Sequence, residues 1–222
     1  MRDDTGQTSW DAPIGWDGHI IWDMGGTLID TYPELDAALC RAALGEVTEA
    51  GLDEVAELTR VSTGHAIEVL AQRHGVPEDD LNRANEQLKR HWRTHPAPVM
   101  DGAVEVMEQV RRSGHLNLVV THRERASAEG LLSANGLHVD DMICAPDGHP
   151  RKPAPDMYVA ILERNRIQSH EALAVGDRMI DVEAAGAAGV AGVLLDTSPT
   201  QSVRATGTRT VSSLRALLAG AY

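Results

Sequence analysis

Phenylalanine is absent from this chain, and lysine is almost absent, with Lys89 and Lys152 alone. A core without Phe has to be filled by aliphatic side chains, with a few Met and Trp. The formal net charge is −13, and no basic run interrupts it. Such a surface repels nucleic acid and anionic membranes, which excludes both as expected partners. An anionic substrate would need a bound cation or a few well-placed Lys and Arg. Two cysteines, Cys40 and Cys144, lie far apart in sequence. They provide neither a disulfide framework nor a zinc site, and are expected as buried thiols. No apolar run approaches the roughly 20 residues that a membrane span requires. The opening stretch, 1–18, is polar and acidic and lacks the basic start and apolar centre of a signal peptide. The expected location is cytoplasmic.

What is present reads as one α/β unit interrupted by helices. With 222 residues, the chain fits one domain, or one domain carrying a sizeable insertion. "HIIWD" is a short buried strand. "PELDAALCRAAL", "GLDEVAELTRV", "TGHAIEVLAQRHG" and "PEDDLNRANEQLKRHWRTH" follow, each with apolar residues three and four apart. After the Pro-rich break "HPAPVMDG", helices and strands alternate. The strands are "LNLVVT", "DDMICA", "ALAVGD" and "VAGVLLDT", and "SSLRALLAG" is read as a closing helix. This alternation predicts a parallel sheet covered on both faces, with the all-helical block as a small second domain.

Ligands of open α/β sheets bind at the carboxyl ends of the strands. Asp23, Thr121 and Asp177 stand at three such ends. Asp181 follows near the start of a helix, and Lys152 lies in a loop before another. Asp23, Asp177 and Asp181 are hard oxygen ligands suited to an octahedral Mg²⁺. Thr121 and Lys152 can hold phosphoryl oxygens. Asp23 is then free to attack phosphorus, giving an acyl phosphate that water hydrolyses. Gly25 and Gly26 let the backbone turn sharply and approach a phosphate closely.

In this arrangement "WDMGGTLID", "LVVTHR", "RKPAPD" and "AVGDRMID" stand in order, and together they resemble the four motifs of the haloacid dehalogenase-like hydrolases. The helical block sits where the phosphoglycolate-phosphatase and β-phosphoglucomutase branch carries a helical cap. The resemblance implies a Rossmann-like parallel sheet core from residues 1–31 and 98–222, with a cap at 32–97. It also implies a Mg²⁺-dependent hydrolase of a small phosphorylated metabolite, as a monomer or homodimer. Residue by residue, it makes Asp23 the nucleophile and a metal ligand. Asp177, Asp181 and the Gly25 backbone carbonyl become further metal ligands. Gly26, Thr121 and Lys152 bind phosphate, and Lys152 also steadies Asp23.

Gly25 departs from the pattern. Phosphatases of this family usually carry a second Asp there, which protonates the leaving alcohol and then activates water. Relatives without it include phosphonatases, with Ala, and dehalogenases, with Tyr. Two other readings therefore stand beside the phosphatase. One is a weakened protein that binds a phosphorylated ligand. The other is phosphonate C–P cleavage, which would need a Schiff-base lysine, with Lys89 as the only cap lysine. His122 either replaces the missing acid, since His titrates near neutrality, or hydrogen-bonds its loop and positions the substrate. Arg123 and Arg178 flank the site as anion holders or as salt-bridge partners. In the cap, Arg60, Thr63, Gly64 and His65 are candidates for substrate contact, against an ordinary helix start capped by Ser62 or Thr63. His91, Trp92 and His95 share a helix face and are read as packing rather than a metal site. Asp30 faces either the cap hinge or solvent.

Overall fold

The computed structural model describes residues 14–197 and 207–218. The opening residues 1–13, and the last two residues of the expected closing helix, lie outside them. The chain divides into two compact units, one formed by Ile29–Pro98 and the other by the remainder.

The larger unit is built on six strands. They are β1 (His19–Trp22), β2 (Asn117–Thr121), β3 (Asp141–Cys144), β4 (Ala172–Gly176), β5 (Ala191–Leu195) and β6 (Arg209–Val211). Their order is β3-β2-β1-β4-β5-β6, and every pair is parallel. Strands β2 and β4 are buried along their whole length. That matches their near-continuous apolar sequence and the helices that a parallel sheet carries on both faces. One face packs Ile21, Leu118, Val120 and Ile143 against Met157, Tyr158 and Ile161. The register pairs Trp22 with Val119 and with Val175. The Asp23 N–H continues the ladder to the Val175 carbonyl at 2.8 Å. Asp23, Thr121 and Asp177 are thereby brought to one edge of the sheet.

Without Phe, Trp22 and Tyr158 are the largest fully buried side chains among the described residues. The Trp22 indole N–H donates to the Asn117 side-chain oxygen at 3.0 Å, and the Asn117 amide donates to the Met107 carbonyl at 2.9 Å. A large aromatic is thus buried in the centre of the sheet with its polar atom satisfied. The helices of this unit are α5 (Ala103–Arg112), α6 (Arg125–Ala134), α7 (Asp156–Asn165) and α8 (Met179–Ala187). Helix α8 is rich in small residues and lies close on the sheet. A methyl added to Gly192 of β5 would come within 2.8 Å of Val182.

Two features of the carboxyl-terminal region differ from the sequence reading. Strand β6 was not anticipated, because "RTV" has no apolar run and takes its strand form from pairing with β5. The closing helix is a single 3₁₀ turn, Leu214–Leu217, whose Arg215 N–H is capped by the Ser213 hydroxyl at 3.2 Å. Leu214 and Leu217 are both buried, and an i,i+3 pair falls on one line of a 3₁₀ turn.

The smaller unit holds α1 (Tyr32–Leu44), α2 (Glu49–Val61), α3 (Thr63–His74) and α4 (Glu78–His91). Thr48 caps α2 through the Gly51 N–H at 3.1 Å, and Ser62 caps α3 through the His65 N–H at 3.0 Å. Helix α4 runs from Glu78, Asp79 and Asp80 to Lys89, Arg90 and His91, each charge opposing the nearer end of the helix dipole. Leu35, Leu39, Val55, Ile67, Leu70 and Leu81 are buried here. Among them lies a carboxylate, Asp36, which accepts from the Thr59 hydroxyl at 2.7 Å and from Arg60 at 3.3 Å.

Burial raises the Asp36 carboxyl above its ordinary 3.8, against the opposing pull of Thr59 and Arg60. A raised carboxyl stabilises the fold fully below its unfolded value, and that contribution is lost as pH rises through its folded value. The stability of the wild-type chain relative to Asp36→Asn is therefore expected to decline from about pH 4 toward neutrality. Chemical denaturation at several pH values measures it. A difference that grows toward pH 7 would contradict the assignment.

Candidate active site

The carboxyl edge of the sheet gathers charge that the interior cannot hold uncompensated. Asp23, Asp181 and Lys152 are all buried. The Lys152 ammonium donates to Asp23 Oδ1 at 2.5 Å, to Asp181 Oδ1 at 2.5 Å and to the Val120 carbonyl at 3.1 Å. Its three N–H bonds are all used. The other Asp181 oxygen accepts the Arg178 backbone N–H at 3.1 Å, which caps the first turn of α8. Asp177 accepts from the Thr27 hydroxyl at 3.1 Å.

Two carboxylates share one ammonium, and their titration divides accordingly. Burial opposes ionisation of Asp23, but Lys152, Arg178 and His122 together outweigh it and hold this carboxyl below its ordinary value. Burial raises the Asp181 carboxyl, and the charge of Asp23 adds to the rise against the pull of Lys152. Burial also works against the Lys152 charge, but Asp23 and Asp181 overcome it and hold the ammonium. Asp23 is the more readily ionised of the two, and three carboxylates converging on one ammonium favour a further cation. Carboxylate oxygens of Asp23, Asp177 and Asp181 lie within 4.8 Å of one another. A donor set of hard oxygens alone fits a cation of the Mg²⁺ or Ca²⁺ type.

The turn after β1 explains the paired glycines. The Leu28 N–H reaches the Met24 carbonyl at 2.9 Å, so residues 24–28 close one helical turn. Gly26 has φ 87, in the left-handed region where glycine is favoured. Gly25 is half-buried at the start of this turn and carries no side chain toward the site.

The remaining candidates of the larger unit stand beside this cluster. The buried Thr121 ends β2, and its hydroxyl accepts the Arg123 N–H at 3.2 Å. Arg123 also bonds the Ser127 hydroxyl at 3.2 Å, and its guanidinium interacts electrostatically with Asp23. His122 bonds the loop that carries Lys152. Its Nε2 accepts the Lys152 backbone N–H at 2.9 Å. Burial, with Lys152 and Arg178 adding to it, pushes the imidazole down to about 4. At neutral pH it is therefore uncharged and has no proton to give at Nε2. The physical reason is burial, reinforced by the company of two cations, which the sequence did not reveal.

Arg60, Gly64 and His65 belong to the helical unit. Arg60 lies 3.5 Å over the Tyr32 ring and bonds Asp36 and Thr59. Gly64 is exposed, and His65 is the residue whose N–H Ser62 caps. The His91 and His95 rings stack at 4.6 Å. Lys89 is half-exposed and paired to Glu86 at 2.6 Å.

Three residues of the site carried no role in the sequence reading. Thr27 holds Asp177, and only its place after two glycines hinted at it. Gly176 ends β4, where an added Cβ would come within 2.4 Å of the Asp181 Cβ. Tyr158 is fully buried on α7, and its hydroxyl has no hydrogen-bond partner among the described residues. Lys152, Asp181 and Asp23 all act on it electrostatically.

Residues 20–195 match the model of the haloacid dehalogenase-like hydrolases. The chain belongs to that family. A phosphoglycolate phosphatase of Mesorhizobium japonicum is 29% identical over 195 residues, covering 80% of this chain and 82% of that protein. A second, from Nitrosospira multiformis, is 32% identical over 187 residues, with 77% and 79% covered. A solved hydrolase from Streptococcus pneumoniae TIGR4 is 29% identical and superposes with a TM-score of 0.63, covering 82% of this chain and 94% of that one. This haloacid dehalogenase-like hydrolase has no helix among its described residues long and apolar enough to cross a membrane.

Gly176 and Tyr158 give separate stability tests. Gly176→Ala drives a methyl into Asp181 and is expected to cost about 1–3 kcal/mol, as over-packing does. Gly64→Ala, where added atoms meet open space, should change stability by less than about 1 kcal/mol. Equal effects at both positions would refute the close approach. Tyr158→Phe removes a buried hydroxyl without a partner, so it is expected to be neutral or stabilising by about 1 kcal/mol. Denaturant unfolding measures all three, and a clear loss in Tyr158→Phe would reveal a bond to that hydroxyl.

Proposed function

We propose that this hydrolase is a Mg²⁺-dependent phosphatase of a small phosphorylated metabolite, with Asp23 as nucleophile. The observation that carries the reading is the buried Lys152 bridge between Asp23 and Asp181, at the sheet edge where Asp177 also converges. The names of the relatives, both phosphoglycolate phosphatases, support a phosphoryl group carried on a small molecule as the broad substrate class. Asp23, Asp177, Asp181 and the Gly25 carbonyl would hold the ion, which would neutralise phosphoryl charge when bound.

The chain's own residues account for the rest. Asp23, kept ionised, attacks phosphorus in line and forms an aspartyl phosphate. Lys152 fixes the Asp23 carboxylate in one orientation and offsets negative charge beside it. Thr121, Gly26 and the Arg123 and Arg178 guanidiniums receive the phosphoryl oxygens. His122 anchors the backbone of Lys152 rather than touching substrate. The unit Ile29–Pro98 serves as the cap, with Arg60, Gly64 and His65 as its candidate substrate contacts. C–P cleavage finds little support, because Lys89 is half-exposed and tied to Glu86.

Phosphate release from p-nitrophenyl phosphate with Mg²⁺ tests the reading, since this ester needs little help from an acid. Turnover is expected, and it should stop when the metal is chelated. Asp23→Asn should lower it at least about 10³-fold, as removal of a covalent nucleophile does. A folded, metal-saturated protein that binds phosphorylated metabolites but turns none over would instead be a ligand-binding relative.

A further inference from the structure

We infer that the preferred substrate is a phosphoryl compound whose leaving group departs as a stable anion, a phosphoric anhydride such as an acyl phosphate, rather than an alkyl phosphate ester. This rests on the phosphatase reading and narrows its substrate class. It follows from where the protons of the site are held. Lys152 has all three of its N–H bonds committed, to Asp23, Asp181 and Val120. Both oxygens of Asp181 accept hydrogen bonds, one from Lys152 and one from the Arg178 N–H. Asp177 accepts from Thr27. His122 presents a lone pair at Nε2, filled by the Lys152 N–H. Gly25 has no side chain, and a guanidinium does not give up its proton. Among the described residues, the groups that act on Asp23 are thus cations with fixed protons and an imidazole whose Nε2 already accepts a hydrogen bond, and no side-chain acid of the larger unit is poised to transfer a proton.

The proton balance separates the two substrate classes. When Asp23 attacks an alkyl ester, the P–O bond breaks toward an alkoxide, which must collect a proton. An alkanol is about as weak an acid as water, whereas a carboxylic acid ionises near 4. With an acyl phosphate, the same bond breaks and the electron pair leaves on a carboxylate that needs no proton. Water then attacks the phosphorus of the aspartyl phosphate and Asp23 leaves as carboxylate. The proton lost by water goes to the released phosphate. The sum is acyl phosphate dianion plus water giving carboxylate plus dihydrogen phosphate, balanced in atoms and charge. Arg123 and Arg178 supply positive charge beside Asp23, and such charge steadies a departing anion without a proton.

The test is the dependence of kcat/KM on the leaving group. The full chain with Mg²⁺ is assayed on acetyl phosphate, on substituted phenyl phosphates of rising phenol pKa, and on glycerol 3-phosphate. Without an acid, kcat/KM should fall steeply along the series. In Gly25→Asp, the preference for acetyl phosphate over glycerol 3-phosphate should shrink by at least about 100-fold, the lower range of general acid catalysis. A flat series in the wild-type chain, or an unchanged preference in a folded Gly25→Asp, overturns the inference while leaving the phosphatase reading in place. Should Gly25→Asp fail to fold, the wild-type slope decides alone. No turnover of any compound in the series overturns both.

Discussion

Lys152 holds a buried ammonium 2.5 Å from both Asp23 and Asp181, and much of the larger unit is arranged around keeping that contact satisfied. An ion pair removed from water is stabilising only when its geometry is good and its remaining polar atoms are bonded; stripping one partner away typically costs about 3–5 kcal/mol. Each participant is therefore fixed from a different element. Strand β1 delivers Asp23, the first turn of α8 delivers Asp181, and β2 contributes the Val120 carbonyl. The loop before α7 delivers Lys152, and His122 pins the backbone of that loop at 2.9 Å. Gly176 leaves room for Asp181 because no other residue lacks the atom that would strike it.

The overall charge of −13 makes this centre unusual within its own chain. Acidic groups dominate the protein, yet four cations or potential cations, Lys152, Arg123, Arg178 and His122, crowd around Asp23. The consequence differs by residue type. Lys152 keeps its charge because Asp23 and Asp181 offset its burial, and the guanidiniums keep theirs because arginine holds its proton so strongly, whereas His122, with a weaker hold, loses it. One physical setting thus produces a locked ammonium, an ionised carboxylate and a neutral imidazole from residues far apart in sequence.

Much of this was legible in the sequence because the relevant signals are local. Short apolar runs ending in Asp or Thr marked β1, β2 and β4, and the spacing in "GDRMID" placed Asp181 in the first turn of a helix. Features set by tertiary contact were not legible. Strand β6 exists because β5 has an edge to extend, and nothing in "RTV" states it. The single turn at Leu214–Leu217 shows the apolar spacing of a longer helix. Thr27 and Tyr158 gained meaning only when distant residues were brought beside them. His122 was ambiguous for the same reason, since its tautomer and charge depend on Lys152 and Arg178, thirty and more positions away. Arg60, a candidate from its place before α3, proved to be stacked on Tyr32 and bonded to Asp36.

Gly25 and Gly176 mark two different uses of an absent side chain in one site. At Gly176 the empty space is filled by Asp181, so a larger residue meets resistance from packing. At Gly25 the missing atoms are those that a proton donor would supply. Fold and charge arrangement survive that absence because neither Lys152 nor the carboxylates draw a bond from it. What changes is the chemistry available to an incoming phosphoryl group: positive charge is plentiful around Asp23, and transferable protons are not. A site so composed favours departure of a group that is already stable as an anion, and discriminates by leaving-group basicity rather than by shape alone.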